Sequence, residues 1–372
     1  MGTNTVQMYQ DQCSGCGVCE RICPVQAIHM KRNEEGFWAP YVDASLCVAC
    51  GQCVERCPMI HSEQYKEPGE PDFVAAKHLD QEVLRSSTSG GAFTALSDVI
   101  LARGGVVYGV DFDDDLTVCH KRADSRELCD RMRFSKYVQS SVYEVFDSIR
   151  ADLDAGREVL FTGTPCQAAA VRAMFGHHEK LILCDLICHG VPSPLLWEEC
   201  RKTLEQEQGG KINWASFRNK EKGWFRGKYQ IFYTLEGRDE RLEDSRYYDL
   251  YLKGKHILRP SCYTCPYGKS ERAADLTIAD YWGIEKFSKE WYDPMGVSLI
   301  LIRTERGRAL LDACERFPYE SRSPEEAKSE QRRFCGSVDA PPDRGEFWQI
   351  LREKGYAAAY EHARSLHPEF EA

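Results

Sequence analysis

The sequence predicts a mixed α/β (α+β) fold in two unequal parts, and three observations predict it. The first sixty residues carry a repeated cysteine pattern. A polar stretch with two prolines and a glycine follows this repeat. Beyond that stretch, helical and strand-like patterns alternate, with some antiparallel insertions. We therefore expect a small N-terminal module followed by a larger mixed α/β domain.

The N-terminal module contains the spacing C-x2-C-x2-C-x3-C-P twice. The copies are Cys13, Cys16, Cys19 and Cys23, then Cys47, Cys50, Cys53 and Cys57. Each cysteine of the second copy lies 34 residues after its counterpart (13 and 47, for example), so the segment is an internal duplication. This spacing is typical of bacterial ferredoxin modules with two [4Fe-4S] clusters, in which the fourth cysteine of each copy binds the other cluster. The predicted ligand sets are Cys13, Cys16, Cys19 and Cys57, and Cys47, Cys50, Cys53 and Cys23.

The residues around these cysteines fit a ferredoxin-like module. Gly15, Gly17 and Gly51 allow the tight turns that wrap backbone N–H groups around sulfur. We expect Pro24 and Pro58 to begin short helices that carry the fourth thiolate away. A pair of structural zinc sites is the alternative, since thiolates also bind zinc. The duplicated spacing favours iron–sulfur clusters over zinc.

The domain boundaries follow from these patterns. We expect the two-cluster module over residues 1–62 and a linker over residues 63–72, which overlaps the sequence HSEQYKEPGEP. The larger domain is expected in an N-terminal part, 73–156, and a C-terminal part, 157–372.

Periodicity predicts the elements of the N-terminal part in order. A short strand at 73–78 precedes a helix that the segment SSTSGG (86–91) opens and that runs to about Arg103. Strands at 106–112 and 116–123 are joined by the turn DDD. Helices are expected at 125–132 and 142–155.

The C-terminal part has a clearer α/β pattern. Buried strands at 157–164 and 180–188 are each followed by a helix, at 165–175 and 192–206. Residues 212–242 alternate as antiparallel strands, and 276–282 and 296–303 are further strands. The segment 306–317 and those after Pro324 are predicted to be helical.

Composition excludes some classes of protein. The formal net charge of −10 makes a general nucleic-acid-binding role unlikely, because no global positive field attracts phosphates. No apolar run reaches the length of a membrane span. Eighteen cysteines in a chain with no apolar signal segment indicate metal or redox chemistry in the cytoplasm.

Two motifs mark candidate ligand sites at the ends of strands or the starts of helices. The segment SSTSGG before a helix fits a phosphate-binding turn, although an ordinary N-cap with a glycine turn is the more common explanation of such a motif. FTGTPCQ (161–167) ends a strand, and ligands of α/β sheets bind at such carboxyl ends. Cys166 is then a nucleophile, a cluster ligand or a packed thiol.

Four cysteines of the larger domain are candidates for a third metal centre. CDLICHG (184–190) supplies Cys188 beside His189, and CYTC supplies Cys262 and Cys265. Together with Cys166 these thiols are enough for a third [4Fe-4S] cluster or for a zinc site. A Cys166–His189 nucleophilic pair is a weaker interpretation, because no carboxylate orients the imidazole.

Other features carry less information. FRNKEKGWFRGK (217–228) is either a basic, aromatic site for an anionic planar ligand or a solvated loop. The remaining cysteines, apart from Cys335, are expected to pack as small hydrophobic residues: Cys119, Cys129, Cys200 and Cys314. No G-x-G-x-x-G or P-loop motif occurs, which argues against those nucleotide sites.

The order of motifs resembles the family of coenzyme F420 hydrogenase/dehydrogenase beta subunits. The motifs are SGGAF, SKYVQS, VLFTGTPCQ, CHGVPSP, FRNKEKGW, CYTCPYG and DLTIADYWG. A ferredoxin module in front is common in this family, and the resemblance runs from about residue 10 to residue 300. One departure is Ala279, where the family commonly has glycine.

The resemblance implies a flavin-binding domain with FAD beside a [4Fe-4S] cluster. It implies that Cys166, Cys188, Cys262 and Cys265 bind that cluster. It places near FAD the residues Ser89, Gly90, Gly91, Ser135, Lys136, Tyr137, Gln139, Ser140, Thr162, Gly163 and Thr164.

The function implied is that of an iron–sulfur flavoprotein oxidoreductase. A two-electron small molecule, coenzyme F420 or another, exchanges electrons at FAD, and [4Fe-4S] clusters pass single electrons to a redox protein or to another subunit of a complex. Two alternatives remain: an electron-relay subunit with no substrate of its own, and a zinc-stabilised thiol enzyme fused to a ferredoxin module.

Overall fold

A mixed eight-stranded sheet forms the centre of the larger domain in the computed structural model. The structure describes residues 5–370 except 221–222, 225–229, 332–333 and 335. The strands are β1 (Ile28–Arg32), β2 (Trp38–Val42), β3 (Asp72–Ala76), β4 (Val106–Phe112), β5 (Val118–Ala123), β6 (Val159–Gly163), β7 (Leu181–Leu186), β8 (Ile212–Ser216), β9 (Ile231–Leu235), β10 (Leu242–Asp244), β11 (Leu276–Asp280), β12 (Ser298–Ile302) and β13 (Tyr319–Arg322). The α-helices are α1 (Val18–Ile22), α2 (Gln52–Glu55), α3 (Gln81–Arg85), α4 (Ala92–Ala102), α5 (Arg126–Met132), α6 (Phe146–Asp154), α7 (Pro165–Phe175), α8 (Pro194–Gln208), α9 (Arg246–Tyr248), α10 (Glu305–Asp312), α11 (Pro324–Lys328) and α12 (Arg344–Leu366).

The order of strands in the large sheet is β13-β3-β12-β11-β7-β6-β4-β5. The four strands β4, β6, β7 and β11 pair in parallel, and antiparallel strands flank them on both sides. The carboxyl ends of the parallel strands therefore meet at one edge of the sheet, where α/β proteins bind ligands.

Helices cover both faces of this sheet. On one face α4, α5 and α10 pack against β4, β6 and β12, and on the other α6 and α7 pack against β4, β6 and β7. These three layers confirm the predicted mixed α/β fold.

Capping residues explain where the helices after β6 and β7 begin. Thr164 and Gln167 form a capping box at the start of α7, and Pro165 occupies its first position. Ser193 caps α8 by accepting a hydrogen bond from Leu196 N, and Pro194 follows it. Both helices match the predictions closely for this reason.

A second, three-stranded antiparallel sheet of order β10-β9-β8 packs with α8 and α12 around another core. The backbone of α12 breaks at Gly355, where φ is +82°, so α12 consists of two helical segments. Residues at the two ends of α12 lie close together as a result, since Asp343 and His367 are hydrogen-bonded.

The structure differs from the predictions at several elements. Pro24 and Pro58 do not begin helices: α1 and α2 start after Gly17 and Gly51 and end before the fourth cysteine of each copy. A residue that precedes proline disfavours the helical conformation, which explains these ends. The β1–β2 hairpin and β13 were not predicted, because each is short and its register depends on tertiary contacts.

The N-terminal segment shares cores with the rest of the chain. Cys16 and Val18 pack in the core beneath α6 and α7, and Phe37 is fully buried in the core around α8. In the predicted linker, Glu67 lies buried and its carboxylate accepts a hydrogen bond of 2.7 Å from Arg172. The described residues 5–62 are thus packed firmly on the larger domain.

Gly36 provides a test of this packing. Its φ is +79°, and a Cβ added there would lie 2.9 Å from the backbone nitrogen of Leu195 and closer still to its Cβ. Gly69 has a similar φ of +82°, but nothing lies within 4 Å of its Cβ position. Both Gly→Ala substitutions therefore carry a similar backbone cost of about 1–2 kcal/mol, and only Gly36→Ala adds about 1–3 kcal/mol of overpacking.

We expect Gly36→Ala to lower the free energy of unfolding more than Gly69→Ala, by about that second amount. Urea denaturation of both variants measures the difference. Equal destabilisation would mean that the β1–β2 turn does not pack on α8 in solution.

Candidate functional site

The first predicted ligand set is assembled in the structure. Burial raises the pKa of the Cys16 thiol to about 12, and the nearby Cys57 and Cys13 add to this rise. Burial also raises the pKa of Cys19, and Cys16, Cys13 and Cys57 add to this rise. Gly15 N donates a hydrogen bond of 3.2 Å to Cys13 Sγ. Four sulfurs from both copies of the repeat thus lie together, as crossed ligation requires.

The second predicted set lies nearer the surface. Cys50 is exposed, while Cys53 is buried with Val54 and Ile28. Ala27 N donates to Cys23 Sγ at 3.3 Å. The side chains of Leu46 and Val48, next to Cys47 in the chain, are 49% and 64% exposed.

The four candidate thiols of the larger domain also come together. Burial raises the pKa of Cys188 to about 12, and Cys166 and Cys265 contribute to the rise. The pKa of Cys262 is raised by burial and then by Cys188, Cys166 and Cys265. Three donors lie beside these sulfurs: Gly190 N to Cys188, Val191 N to Cys262, and Thr164 Oγ1 to Cys166.

The spacing of the sulfurs distinguishes a cluster from a zinc ion. Among the residues that the structure describes, no three cysteine sulfurs lie within 4.8 Å of one another. A tetrahedral zinc ion with bonds of about 2.3 Å holds its sulfurs about 3.8 Å apart. A four-iron cluster places an iron atom between each thiolate and its centre, so it needs wider spacing. The sulfurs are therefore spaced more widely than a single zinc ion requires.

One apolar group of residues connects the first set to the third. Met59, Ala169, Tyr267 and Ala273 form a buried cluster against which Cys57, Cys166 and Cys265 pack. The Tyr267 hydroxyl donates to Pro58 O at 2.5 Å. Another apolar cluster contains Cys53 and contacts Cys19 and Cys23. All three sulfur sets are thus adjacent through packed side chains.

A cavity of about 830 Å³ lies at the carboxyl ends of the parallel strands. Its lining includes Thr162 and Gly163 at the end of β6, Asp185 near the end of β7, and Ala279 in β11. Cys188 also lines it, so the third sulfur set borders this space. The volume falls in the range of about 300–1,000 Å³ typical of cofactor and ligand pockets.

Most residues predicted to contact FAD line this cavity. They are Ser89, Gly91, Ser135, Lys136, Tyr137, Ser140, Thr162, Gly163 and Thr164. Ala92, at the N-terminus of α4, also lines it, and so a helix dipole is directed at the cavity. Burial lowers the pKa of Lys136 to about 8, and its ammonium donates to the Arg131 and Arg133 carbonyls.

Two predicted FAD contacts lie outside the lining. Gly90 packs against β3 and β12, and its N–H donates to Ser298 Oγ at 3.0 Å. The Gln139 side chain turns toward the N-terminal segment, where its amide donates to Ser14 O at 2.7 Å and its oxygen accepts from Arg259. The motifs SGGAF and SKYVQS thus combine cavity residues with residues that hold the surroundings in place.

The basic segment 217–228 is only partly described. Arg218 lines the cavity, and Trp224 stacks on Trp282 with ring centroids 5.0 Å apart. Lys220 is buried and its ammonium donates to the carbonyls of Leu84, Ser89 and Met295. Lys222, Phe225, Arg226 and Lys228 lie outside the described residues.

The other candidate residues have ordinary surroundings or lie at the cavity wall. Cys129, Cys200 and Cys314 are buried as predicted, Cys119 is half-buried, and Cys335 lies outside the described residues. His189 lines the cavity beside Tyr251. Cys184, buried next to Asp185, also lines the cavity.

Sequence analysis missed residues that act over long distances in the chain. Arg259 is 3% exposed and bonds the carbonyls of Cys13 and Trp38. Tyr267 lies within CYTCPYG, but nothing in that motif predicts its place between two sulfur sets. Asp185 is fully buried, and burial raises the pKa of its carboxyl group. Their only signal in the sequence was that they lie within or near the quoted motifs.

Two family models match the chain. Residues 156–326 match the C-terminal domain of the coenzyme F420 hydrogenase/dehydrogenase beta subunit. Residues 12–59 match the 4Fe-4S dicluster domain. No helix of the described residues is long and apolar enough to cross a membrane.

Curated relatives match either part. A subunit of the F(420)H(2) dehydrogenase of Methanosarcina mazei is 24% identical over 194 residues, which is 48% of this chain and 53% of the relative. A ferredoxin of Alicyclobacillus acidocaldarius is 36% identical over 58 residues, 15% of this chain and 68% of the relative. The chain thus spans about half the length of the Methanosarcina mazei relative.

Among solved structures, a chain of the F420-reducing [NiFe] hydrogenase complex from Methanosarcina barkeri aligns with a TM-score of 0.45 and 20% identity. The alignment covers 79% of this chain and 91% of that chain.

Proposed function

We propose that this chain, which belongs to the family of coenzyme F420 hydrogenase/dehydrogenase beta subunits and carries a 4Fe-4S dicluster domain, is a flavin-containing oxidoreductase. In this proposal a two-electron small molecule reacts in the cavity, and three [4Fe-4S] clusters carry single electrons to a partner protein. One observation carries the proposal: the cavity and the three sulfur sets form one continuous series through the chain.

The series begins at the cavity wall with Cys188. Its sulfur set is joined to the first set by the apolar cluster around Met59 and Tyr267. The first set meets the second where Cys19 packs against the apolar cluster that contains Cys53. The second set reaches the surface at Cys50. A series of adjacent sulfur sets has no role in a thiol enzyme. Electron transfer from a buried site to a docked protein requires such a series.

The cavity residues fit a flavin dinucleotide. Ser87, Thr88, Ser89 and Gly91 of the segment SSTSGG line the cavity at the N-terminus of α4, whose helix dipole favours an anion such as a pyrophosphate. Lys136 and Arg218 supply positive charge elsewhere in the lining. A bound flavin would supply the exchange between two-electron and one-electron chemistry. The protein residues bind it, exclude water and hold the neighbouring thiolates.

The partner protein is expected to dock at the second sulfur set. Leu46 and Val48 form an exposed apolar surface next to Cys50. The matched relative from Methanosarcina mazei is named as a subunit of a dehydrogenase, so a partner subunit is a natural occupant of this surface. Coenzyme F420 is the first substrate to test, for the same reason.

Metal and flavin analysis of the anaerobically purified chain tests the proposal. We expect about twelve irons, from three four-iron clusters, and one flavin per chain. Cys166→Ala should reduce the iron to about eight, because one cluster is lost. Cys184→Ala removes a thiol that lines the same cavity but lies outside the three sulfur sets, so it should leave the iron unchanged.

The outcomes separate the alternatives. Twelve irons without flavin, and no reduction by any two-electron donor, would instead support a relay subunit with no substrate. Zinc in place of iron at the third sulfur set would support the zinc-stabilised thiol enzyme. Bleaching of flavin and clusters on addition of reduced F420 would identify the substrate.

A further inference from the structure

We propose that His256, Asp343 and His367 form a binding site for a divalent metal ion of the Zn²⁺ class, separate from the sulfur sets and the cavity. Asp343 Oδ2 lies 2.9 Å from His256 Nε2 and 3.3 Å from His367 Nε2. The three ligand atoms all lie within 4.8 Å of one another. Asp343 and His367 lie beyond the residues 156–326 that match the family model, and His256 lies within them.

The distances between ligand atoms fit one ion. Bonds of about 2.0–2.1 Å in a tetrahedral zinc site hold adjacent ligand atoms about 3.3–3.4 Å apart. The two nitrogen–oxygen separations to Asp343 Oδ2 are 2.9 and 3.3 Å, so only the shorter one needs to widen, by a few tenths of an ångström. Two imidazoles and a carboxylate form a common ligand set for zinc, with the fourth position left to water.

The surroundings orient both imidazoles. Glu369 Oε1 lies 3.0 Å from Nδ1 of His367, which is the outer carboxylate that metal-binding histidines usually have. The ring of His256 is completely buried, and a Cβ at Gly254 would collide with its Nδ1. The absence of that Cβ lets the ring turn Nε2 toward Asp343. A simple ion pair between the two histidines and Asp343 would not require the additional carboxylate of Glu369.

The position of the site gives the ion a structural role. Asp343 precedes α12 and His367 follows it, and the break at Gly355 brings these ends together. His256 follows Lys253 and Lys255, which line the cavity. An ion here would therefore clamp the C-terminal helical pair to the cavity wall.

The test uses the full chain with its clusters in place and zinc chloride as the probe. We expect about one zinc per chain in addition to unchanged iron, measured by mass spectrometry of metals after desalting. His367→Ala should abolish zinc binding, and Glu369→Gln should weaken it about 10–100-fold, because Glu369 orients His367. His362→Ala removes an imidazole of α12 that lies outside the site, so this variant should bind zinc as the wild type does.

Thermal unfolding provides the second readout. Zinc should raise the melting temperature of the wild type and of His362→Ala, and should not change that of His367→Ala. Failure of the wild type to bind zinc would overturn the site. Equal zinc binding by His367→Ala would do so too, because the zinc would then occupy cysteines instead. Either result leaves the iron and flavin counts of the proposed function untouched.

Discussion

Replacing Arg259 with leucine is expected to lower the free energy of unfolding by about 3–5 kcal/mol, because three buried acceptors lose their donor at a cost of about 1–3 kcal/mol each. The guanidinium donates to Cys13 O, to Trp38 O at 2.7 Å and to the Gln139 side chain at 2.9 Å. Leucine would leave these three buried acceptors without a donor. It would also detach the loop of the first sulfur set from the larger domain.

Arg259 also acts on the third sulfur set. Burial raises the pKa of the Cys166 thiol, and Thr164 and the positive charge of Arg259 oppose that rise. The arginine therefore favours the thiolate form that a cluster binds. Arg259→Leu should consequently reduce iron content toward two clusters as well as stability.

Urea unfolding and iron counting measure these two effects. Arg259→Lys is the matched control, because it keeps the charge but replaces the planar guanidinium, with its fixed donor directions, by a compact ammonium. We expect it to retain iron better than the leucine variant while remaining destabilised. Wild-type stability in the leucine variant would mean that the N-terminal segment does not depend on this contact.

Short-range patterns account for what the sequence predicted well. The cysteine pattern of the 4Fe-4S dicluster domain could be read from the sequence because spacings of three and four residues define local loops, whereas the third set needed the family resemblance as well. The starts of α7 and α8 were predictable because capping residues and proline lie beside them. The family resemblance was confirmed, since its motifs fall largely within the matched residues 156–326.

Long-range contacts account for what the sequence did not predict. Arg259 bonds a carbonyl 246 residues away, and no local pattern encodes that pairing. Gln139 lies in SKYVQS beside cavity residues, yet its side chain faces the opposite direction. Residue spacing places a residue near a site, but only tertiary packing decides which way its side chain points.

The contacts of Lys220 likewise could not be predicted from residue spacing. Its replacement is expected to have the second large effect on the free energy of unfolding. Its ammonium is buried and donates to the carbonyls of Leu84, Ser89 and Met295. Burial lowers the pKa of Lys220 to about 7, and the negative charge of Asp280 opposes that fall. Lys220→Met keeps the length of the side chain and removes the donors. Since each unpaired buried carbonyl costs about 1–3 kcal/mol, we expect a loss on the order of 3 kcal/mol after relaxation.

The substitution should also affect the cavity. Lys220 joins Ser89, in the predicted phosphate-binding segment, to the segment that contains Met295. Without it the SSTSGG segment is less well ordered, and flavin should dissociate more readily while iron stays unchanged. Flavin retained after dialysis and urea unfolding measure the two effects. Lys211→Met is the control, because the Lys211 side chain is 69% exposed and its ion pair with Glu236 is long, at 3.8 Å.

The two readouts together decide between two roles for Lys220. If it contacted an anionic ligand directly, as a basic ligand-binding patch would require, Lys220→Met would weaken binding and leave the flavin-free chain as stable as the wild type. A buried structural cation predicts loss of stability in the flavin-free chain as well, because the three carbonyls lose their donor whether or not a ligand is bound. The observed contacts are all to backbone carbonyls, which favours the second role.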